Sequence, residues 1–250
     1  MGNDRPRDTL APMDSFDRGL LATGSVVAAR HLIGAHLVRD EPGQARRVGR
    51  IVEVEAYLGP DDRASHARFG RTRRTATMFG PPGRAYVYRV YGMYTCLNVV
   101  TGPAGSASAV LIRGIAPLEG EAAFRAARLR HDLAAARRTR VSGGDPAAEA
   151  AVAARIARVP YHRLTSGPGL VGAAFGIDVT LDGADLCDPA SPLRLEPAPS
   201  DQSEPVIATS ARIGVAYAGE PWAEGPYRFF VPGDGSVSGP RSVAAPGPRR

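Results

Sequence analysis

Residues 49–57, Gly49-Arg50-Ile51-Val52-Glu53-Val54-Glu55-Ala56-Tyr57, read as a β-strand with two unlike faces. Side chains alternate along a strand, so Val52, Val54 and Ala56 share one face and Ile51, Glu53, Glu55 and Tyr57 the other. The apolar face is expected to meet a core. The second face presents two carboxylates and a tyrosine. It is either a solvated strand face or one on which a carboxylate activates water. Glu53 also fits a purely structural role, paired with an arginine.

Working outward, His36 to Arg39 reads as a partner strand across the polar turn Asp40–Arg46. Before it, Ser25 to Ile33 reads as a helix with Ser25 as N-cap and Gly34 as the stop. Downstream, Tyr86–Tyr91 and Tyr94–Val100 read as a hairpin turning at Gly92-Met93, and Ala109–Ile115 as a further strand. Composition then shifts. Glu119–Arg140 and Pro146–Arg158 are rich in Ala and Arg and read as helices broken at Val141–Asp145. Thr165-Ser166-Gly167-Pro168-Gly169 opens another helix running to Phe175, and short strands follow in Val206–Tyr217 and Tyr227–Val231. A short helix, strands, helices and then strands make an α+β chain, one mixed domain and not a βαβ repeat. The domain is expected over residues 16–233, with disordered tails at 1–15 and 234–250.

Composition narrows the function. The chain has 250 residues and a net charge of +6, enough for a core without staples and suited to an anionic partner. All 31 basic side chains are arginine, so no lysine is available to form a Schiff base. Cys96 and Cys187 make neither a disulfide framework nor a zinc site, and no metal or cofactor is expected. No apolar run approaches the length of a membrane span, and the N-terminus lacks the apolar core of a signal peptide. A cytoplasmic protein is expected.

Two glutamates, one histidine and five tyrosines between Glu53 and Asn98 suggest hydrolytic chemistry on a nucleic-acid base. Tyr86 and Tyr88 share a strand face, and Tyr91 and Tyr94 flank the hairpin tip. They are either core filling favoured by β-propensity or a stacking platform with a wedge at the tip. His66 is either a polar surface residue or a hydrogen-bonding partner for a base edge. Asn98 and Arg113 can be ordinary sheet residues, and Arg113, between apolar neighbours, needs a carboxylate or water. Arg71-Thr72-Arg73-Arg74 is a solvated loop or a phosphate contact. Two other functions fit parts of the pattern. Glu53 and Glu55 lie ~7 Å apart along a strand, a separation used by carbohydrate glycosidases. A non-catalytic nucleic-acid-binding module would keep the tyrosines and arginines without requiring Glu55.

Taken together, the strings IVEVEAYLGPDD, YVYRVYGMYTCLN and VLIRGIAPLEG resemble the alkyladenine (3-methyladenine) DNA glycosylases of the mammalian type, closely over residues 18–120 and more loosely over Ser166–Val231. The resemblance implies a curved antiparallel sheet with surrounding helices and a protruding hairpin. It also implies a monofunctional, cofactor-independent base-excision enzyme, acting as a monomer near the nucleoid, that flips damaged purines from double-stranded DNA. Glu55 then matches the water-activating glutamate and Arg113 an arginine near the attacking water. Tyr57, His66 and Tyr88 match residues that sandwich the flipped base. Asn98 matches a pocket residue that obstructs the exocyclic amino group of guanine. Tyr91 matches the side chain that fills the gap in the duplex, with Met93 and Tyr94 its neighbours. The chain departs from the pattern at residues 121–165, and where Gly169-Leu170 follow Ser166-Gly167-Pro168 in place of a lysine.

Overall fold

The computed structural model describes residues 15–138 and 145–240. Two short helices, α1 (Arg18–Leu21) and α2 (Ser25–Leu32), lead into β1 (His36–Arg39) and the long strand β2 (Arg47–Tyr57). The hairpin β3 (Ala85–Val90) and β4 (Tyr94–Thr101) is followed by β5 (Ser108–Glu119). Helices α3 (Glu121–Arg138), α4 (Pro146–Arg158) and α5 (Pro168–Phe175) precede the short strands β6 (Leu193–Glu196), β7 (Ala208–Ser210) and β8 (Arg228–Phe230). All pairings are antiparallel. The sheet order is β3-β4-β5-β2-β1-β6, with β7 joined through β8 to β2. This is the α+β domain expected from the order of elements.

One face of the sheet is sealed by helices. Ala28, Ala29 and Leu32 of α2, Phe124 of α3 and Val171, Ala174 and Phe175 of α5 pack on Ile51, Val54, Leu97, Val110 and Ile112. Burying the Leu, Ile, Val and Phe side chains among them stabilises the fold by about 1.5–3 kcal/mol each relative to exposure. The other face carries the polar side chains that form the site.

Strand β2 departs from strict alternation. Register shifts between Ile51 and Glu53 and between Glu53 and Val54 mark a bulge opposite Gly114 and Ile112. Ile51 consequently joins Val54 and Ala56 in the main core, while Val52 turns to a small cluster with Ala208, Phe230 and Val237. The reading that grouped Ile51 with the glutamates is corrected by this bulge, which re-aims side chains on either side of it.

Other boundaries also differ. Gly24, with φ of 100°, occupies the N-cap of α2; Ser25 is the first helical residue and is buried. The hairpin turn is Tyr91-Gly92-Met93, since Val90 pairs with Tyr94. Tyr91 and Gly92 both adopt left-handed φ, 50° and 67°. Residues 234–240 are packed, not a free tail. Ser236 and Val237 are fully buried, and the Ser238 N–H donates to Glu53 Oε2 at 2.6 Å. Bonds to a partner 185 positions away order a Gly/Ser segment that has no local signal of its own. The rest of the expected C-terminal tail, 241–250, and residues 1–14 lie outside the described residues, as does the expected break at 141–145 except for Asp145, which caps α4.

Candidate active site

Strand register assembles the site. Tyr86 pairs with Asn98, Asn98 with Leu111, and Leu111 with Glu55. Directly opposed residues point to the same side of a sheet. Four strands thus place these side chains in one row, on the face the helices leave open. Above it lies a cavity of about 250 Å³, lined by Tyr57, His66, Tyr88, Asn98, Arg113 and Tyr217 among others.

Glu53 and Glu55 are both fully buried, so neither belongs to a solvated face. They differ in their partners. Glu53 Oε1 accepts from Arg228 Nε at 2.8 Å and Arg113 Nε at 3.2 Å. Its Oε2 accepts the Ser238 N–H. Burial alone pushes the Glu53 carboxyl up, but Arg113, Ser238 and Arg228 together outweigh it and hold the group below its ordinary value. Glu53 does not line the cavity. It is a structural anchor for two buried arginines, the role open to it from sequence.

Glu55 does not line the cavity either, but its partners do. Its Oε1 accepts from the Ile213 N–H at 2.7 Å and faces Arg113 Nη1 at 3.4 Å. Its Oε2 accepts from the Tyr57 hydroxyl at 3.0 Å. Tyr57, Arg113 and Ile213 all line the cavity. A carboxylate has about four acceptor positions, so three partners leave one, on Oε2, for a further donor such as water.

The aromatic walls are tied together. His66 sits at the start of a single helical turn, His66–Phe69, capped by the Ser65 side chain. Its Nδ1 and the Tyr86 hydroxyl share a hydrogen bond of 3.0 Å. Its ring meets Tyr88 edge-on at 4.6 Å. Burial, then the charges of Arg74 and Arg68, lower the His66 pKa to about 4, so the imidazole is neutral at pH 7. Burial raises the Tyr86 hydroxyl to about 12 and, with the Glu55 charge next, raises Tyr57 as well. The Asn98 amide donates to the Tyr86 carbonyl at 3.1 Å, which fixes its orientation toward the cavity. Cys96 also lines the cavity, but burial pushes its thiol to about 11, so it is not a thiolate nucleophile.

The three hairpin residues separate. Tyr91 is 89% exposed at the tip and Met93 is 41% exposed beside it. Tyr94 instead turns back, stacking on His131 of α3 at 4.9 Å. His131 Nε2 also meets the Met93 carbonyl at 3.0 Å. Part of the Ala/Arg-rich region therefore braces the hairpin. Arg128 anchors that helix by donating to the Leu164 carbonyl at 2.7 Å. Gly169 is required by the same packing. A Cβ there would lie 2.8 Å from the Tyr94 ring.

Two residues escaped the sequence reading. Arg212 is buried, makes a two-pronged pair with Asp62, and lies 4.6 Å over the Tyr57 ring. Ile213 supplies the N–H to Glu55. Nothing in the string SARIGV signals either role, because both partners are more than 145 positions away. Among the described residues no group of three or more His, Cys, Asp or Glu is placed to hold a metal ion, and no helix is long and apolar enough to cross a membrane.

Known proteins share this arrangement of sequence. The family profile described as methylpurine-DNA glycosylase (MPG) matches residues 20–235. The human DNA-3-methyladenine glycosylase is 40% identical over 215 residues, 86% of this chain and 64% of the human protein. Proteins of Myxococcus xanthus and Methanocella arvoryzae, both provisionally named 3-methyladenine DNA glycosylases, are 38% and 41% identical over 88% of this chain and about nine-tenths of their own length. The strand that carries Glu55, the hairpin that carries Tyr91 and the segment that carries Arg212 all fall inside the matched range, and the chain belongs to the methylpurine-DNA glycosylase family.

Proposed function

We propose that this protein hydrolyses the N-glycosidic bond of alkylated or deaminated purines in duplex DNA, leaving an abasic site. The observation that carries the reading is the Glu55 carboxylate, held by the Ile213 N–H, the Tyr57 hydroxyl and Arg113 under an aromatic cavity. A purine extruded from the stack enters between Tyr57, His66 and Tyr88. Methylation at N3 or N7 makes the base cationic and a better leaving group. Electron-rich ring faces attract such a base, and a neutral His66 does not repel it.

As the bond to the sugar breaks, positive charge grows on the sugar. Glu55 stabilises that charge and accepts a proton from the attacking water through its remaining acceptor position. Arg113 and Tyr57 orient the carboxylate. Asn98 narrows the cavity against an exocyclic amino group. Tyr91, exposed at the hairpin tip, fills the gap in the duplex, with Met93 beside it. Tyr94 supports the tip from behind.

The carbohydrate-glycosidase alternative needs both glutamates in one site. Glu53 is engaged by two arginines and a backbone N–H, and of these partners only Arg113 reaches the cavity lining, which disfavours it.

The test is base release from duplexes carrying 3-methyladenine, 7-methylguanine, hypoxanthine or ethenoadenine, in EDTA, with wild type beside Glu55→Gln. Release by wild type only, with DNA binding kept in both, is the expected result. No release by a folded wild type that still binds DNA would reduce the protein to a binding module.

A further inference from the structure

The single turn His66–Phe69 does more than carry His66 into the cavity. Its last residue, Phe69, is 68% exposed, and Tyr217, in the turn Ala216–Ala218, is 65% exposed. Between them lies Arg68, its guanidinium 4.5 Å from the Phe69 ring centre and 5.3 Å from that of Tyr217. Arg68 is tethered through a bond to the Arg63 carbonyl, and the Tyr217 hydroxyl donates to the Ala64 carbonyl at 3.2 Å. Exposed aromatics normally cost rotamer freedom when they bind; these rings are already positioned. Tyr217 also lines the cavity, so the stack stands at its mouth.

The surroundings are basic. Arg71, Arg73 and Arg74 follow directly and are exposed. None of Arg68, Arg71, Arg73 and Arg74 enters a salt bridge among the described residues. Flat aromatic surface beside arginines that have no carboxylate partner matches the chemistry of a nucleic-acid strand: bases for the rings, phosphates for the guanidinium groups. Bases inside a duplex are already stacked on their neighbours. The rings therefore gain most from a base that has lost its partner.

We propose that Phe69, Arg68 and Tyr217 form a stacking platform for an unpaired base of the lesion-bearing strand, next to the flipped nucleotide. The inference rests on DNA being the substrate. The platform is separate from Tyr91, which acts where a second strand is present. It lets the protein hold lesions in single-stranded DNA, where Tyr91 has no gap to fill.

The experiment measures fluorescence anisotropy of labelled single-stranded and duplex oligodeoxynucleotides containing ethenoadenine. The proteins are wild type, Phe69→Ala, Phe69→Trp and the Phe69→Ala/Tyr217→Ala double variant. Stacking on one side chain changes affinity about ten- to hundredfold. Phe69→Ala is expected to weaken single-strand binding by about tenfold and duplex binding by less than threefold. Phe69→Trp restores it, and the double variant loses more. Equal losses on both substrates, or single-strand binding unchanged in the double variant, would overturn the platform. A wild type that binds neither DNA would instead overturn the glycosylase reading itself. Phe69 is exposed, so its truncation leaves the core intact, and a melting temperature equal to wild type verifies this.

Discussion

The Tyr57 hydroxyl donates a hydrogen bond of 3.0 Å to Glu55 Oε2, two residues earlier on the same strand face. One side chain thus forms a wall of the cavity with its ring and steadies the carboxylate with its oxygen. Tyr57→Phe separates the two tasks. A hydrogen bond to a charged group contributes about 1.5–3 kcal/mol. Single-turnover base release is expected to fall about ten- to hundredfold, while affinity for lesion-bearing DNA stays within twofold. Because the Tyr57 pKa is raised, the donor persists through alkaline pH and the loss is the same at pH 7 and pH 9. A loss of affinity matching the loss of rate would show the ring, not the hydroxyl, to be the active part.

Glu53→Gln tests the anchor. It leaves Arg113 and Arg228 buried without their shared carboxylate. Breaking such a pair costs about 3–5 kcal/mol. A large drop in the urea midpoint is expected at pH 7. The sign with pH follows from the lowered Glu53 pKa: its stabilisation is full above the ordinary value of 4.5 and is lost as pH falls through the lower folded value. The gap between wild type and variant narrows as pH is taken below 4.5. A gap that widens there would contradict the assignment.

Tyr91→Ala removes an 89% exposed side chain at a position with φ of 50°. The fold should be indifferent to it, since nothing packs over the ring. Binding to a damaged duplex is expected to weaken about tenfold or more, the value of one stacked aromatic, and binding to the single strand far less. Equal losses on the two substrates would argue against a wedge.

The absence of lysine makes a chemical prediction. Strand cleavage by an amine nucleophile requires a Schiff base, and this chain offers no side-chain amine. Abasic sites should accumulate uncleaved, and borohydride should trap no protein–DNA adduct. A trapped adduct would identify the terminal amine as a nucleophile.

Much of the frame was readable from the chain itself. Alternation over Arg50–Tyr57 and the Tyr-rich pair around Gly92 specified strands and hairpin to within a few residues, because period-two patterning and turn chemistry are local. Glu55 and Tyr57 fell on one face for the same reason. The bulge at Val52 was not readable, since it is decided by how β2 and β5 settle against each other and not by either strand alone. Nor was the packing of residues 234–240, whose order comes from Glu53 on a distant strand.

The sequence by itself determined the element types, the polar face of β2, the exposed turn of the hairpin and the lack of any lysine amine, all properties set by neighbours in the chain or by composition. Only the tertiary structure gave the two glutamates different partners. Arg228 and Ser238 close on Glu53 from 175 and 185 positions away, while Ile213 and Arg113 hold Glu55 under the cavity. Two nearby carboxylates of equal chemistry acquire different surroundings because burial makes each depend on its partners, and those partners arrive only when the chain is folded.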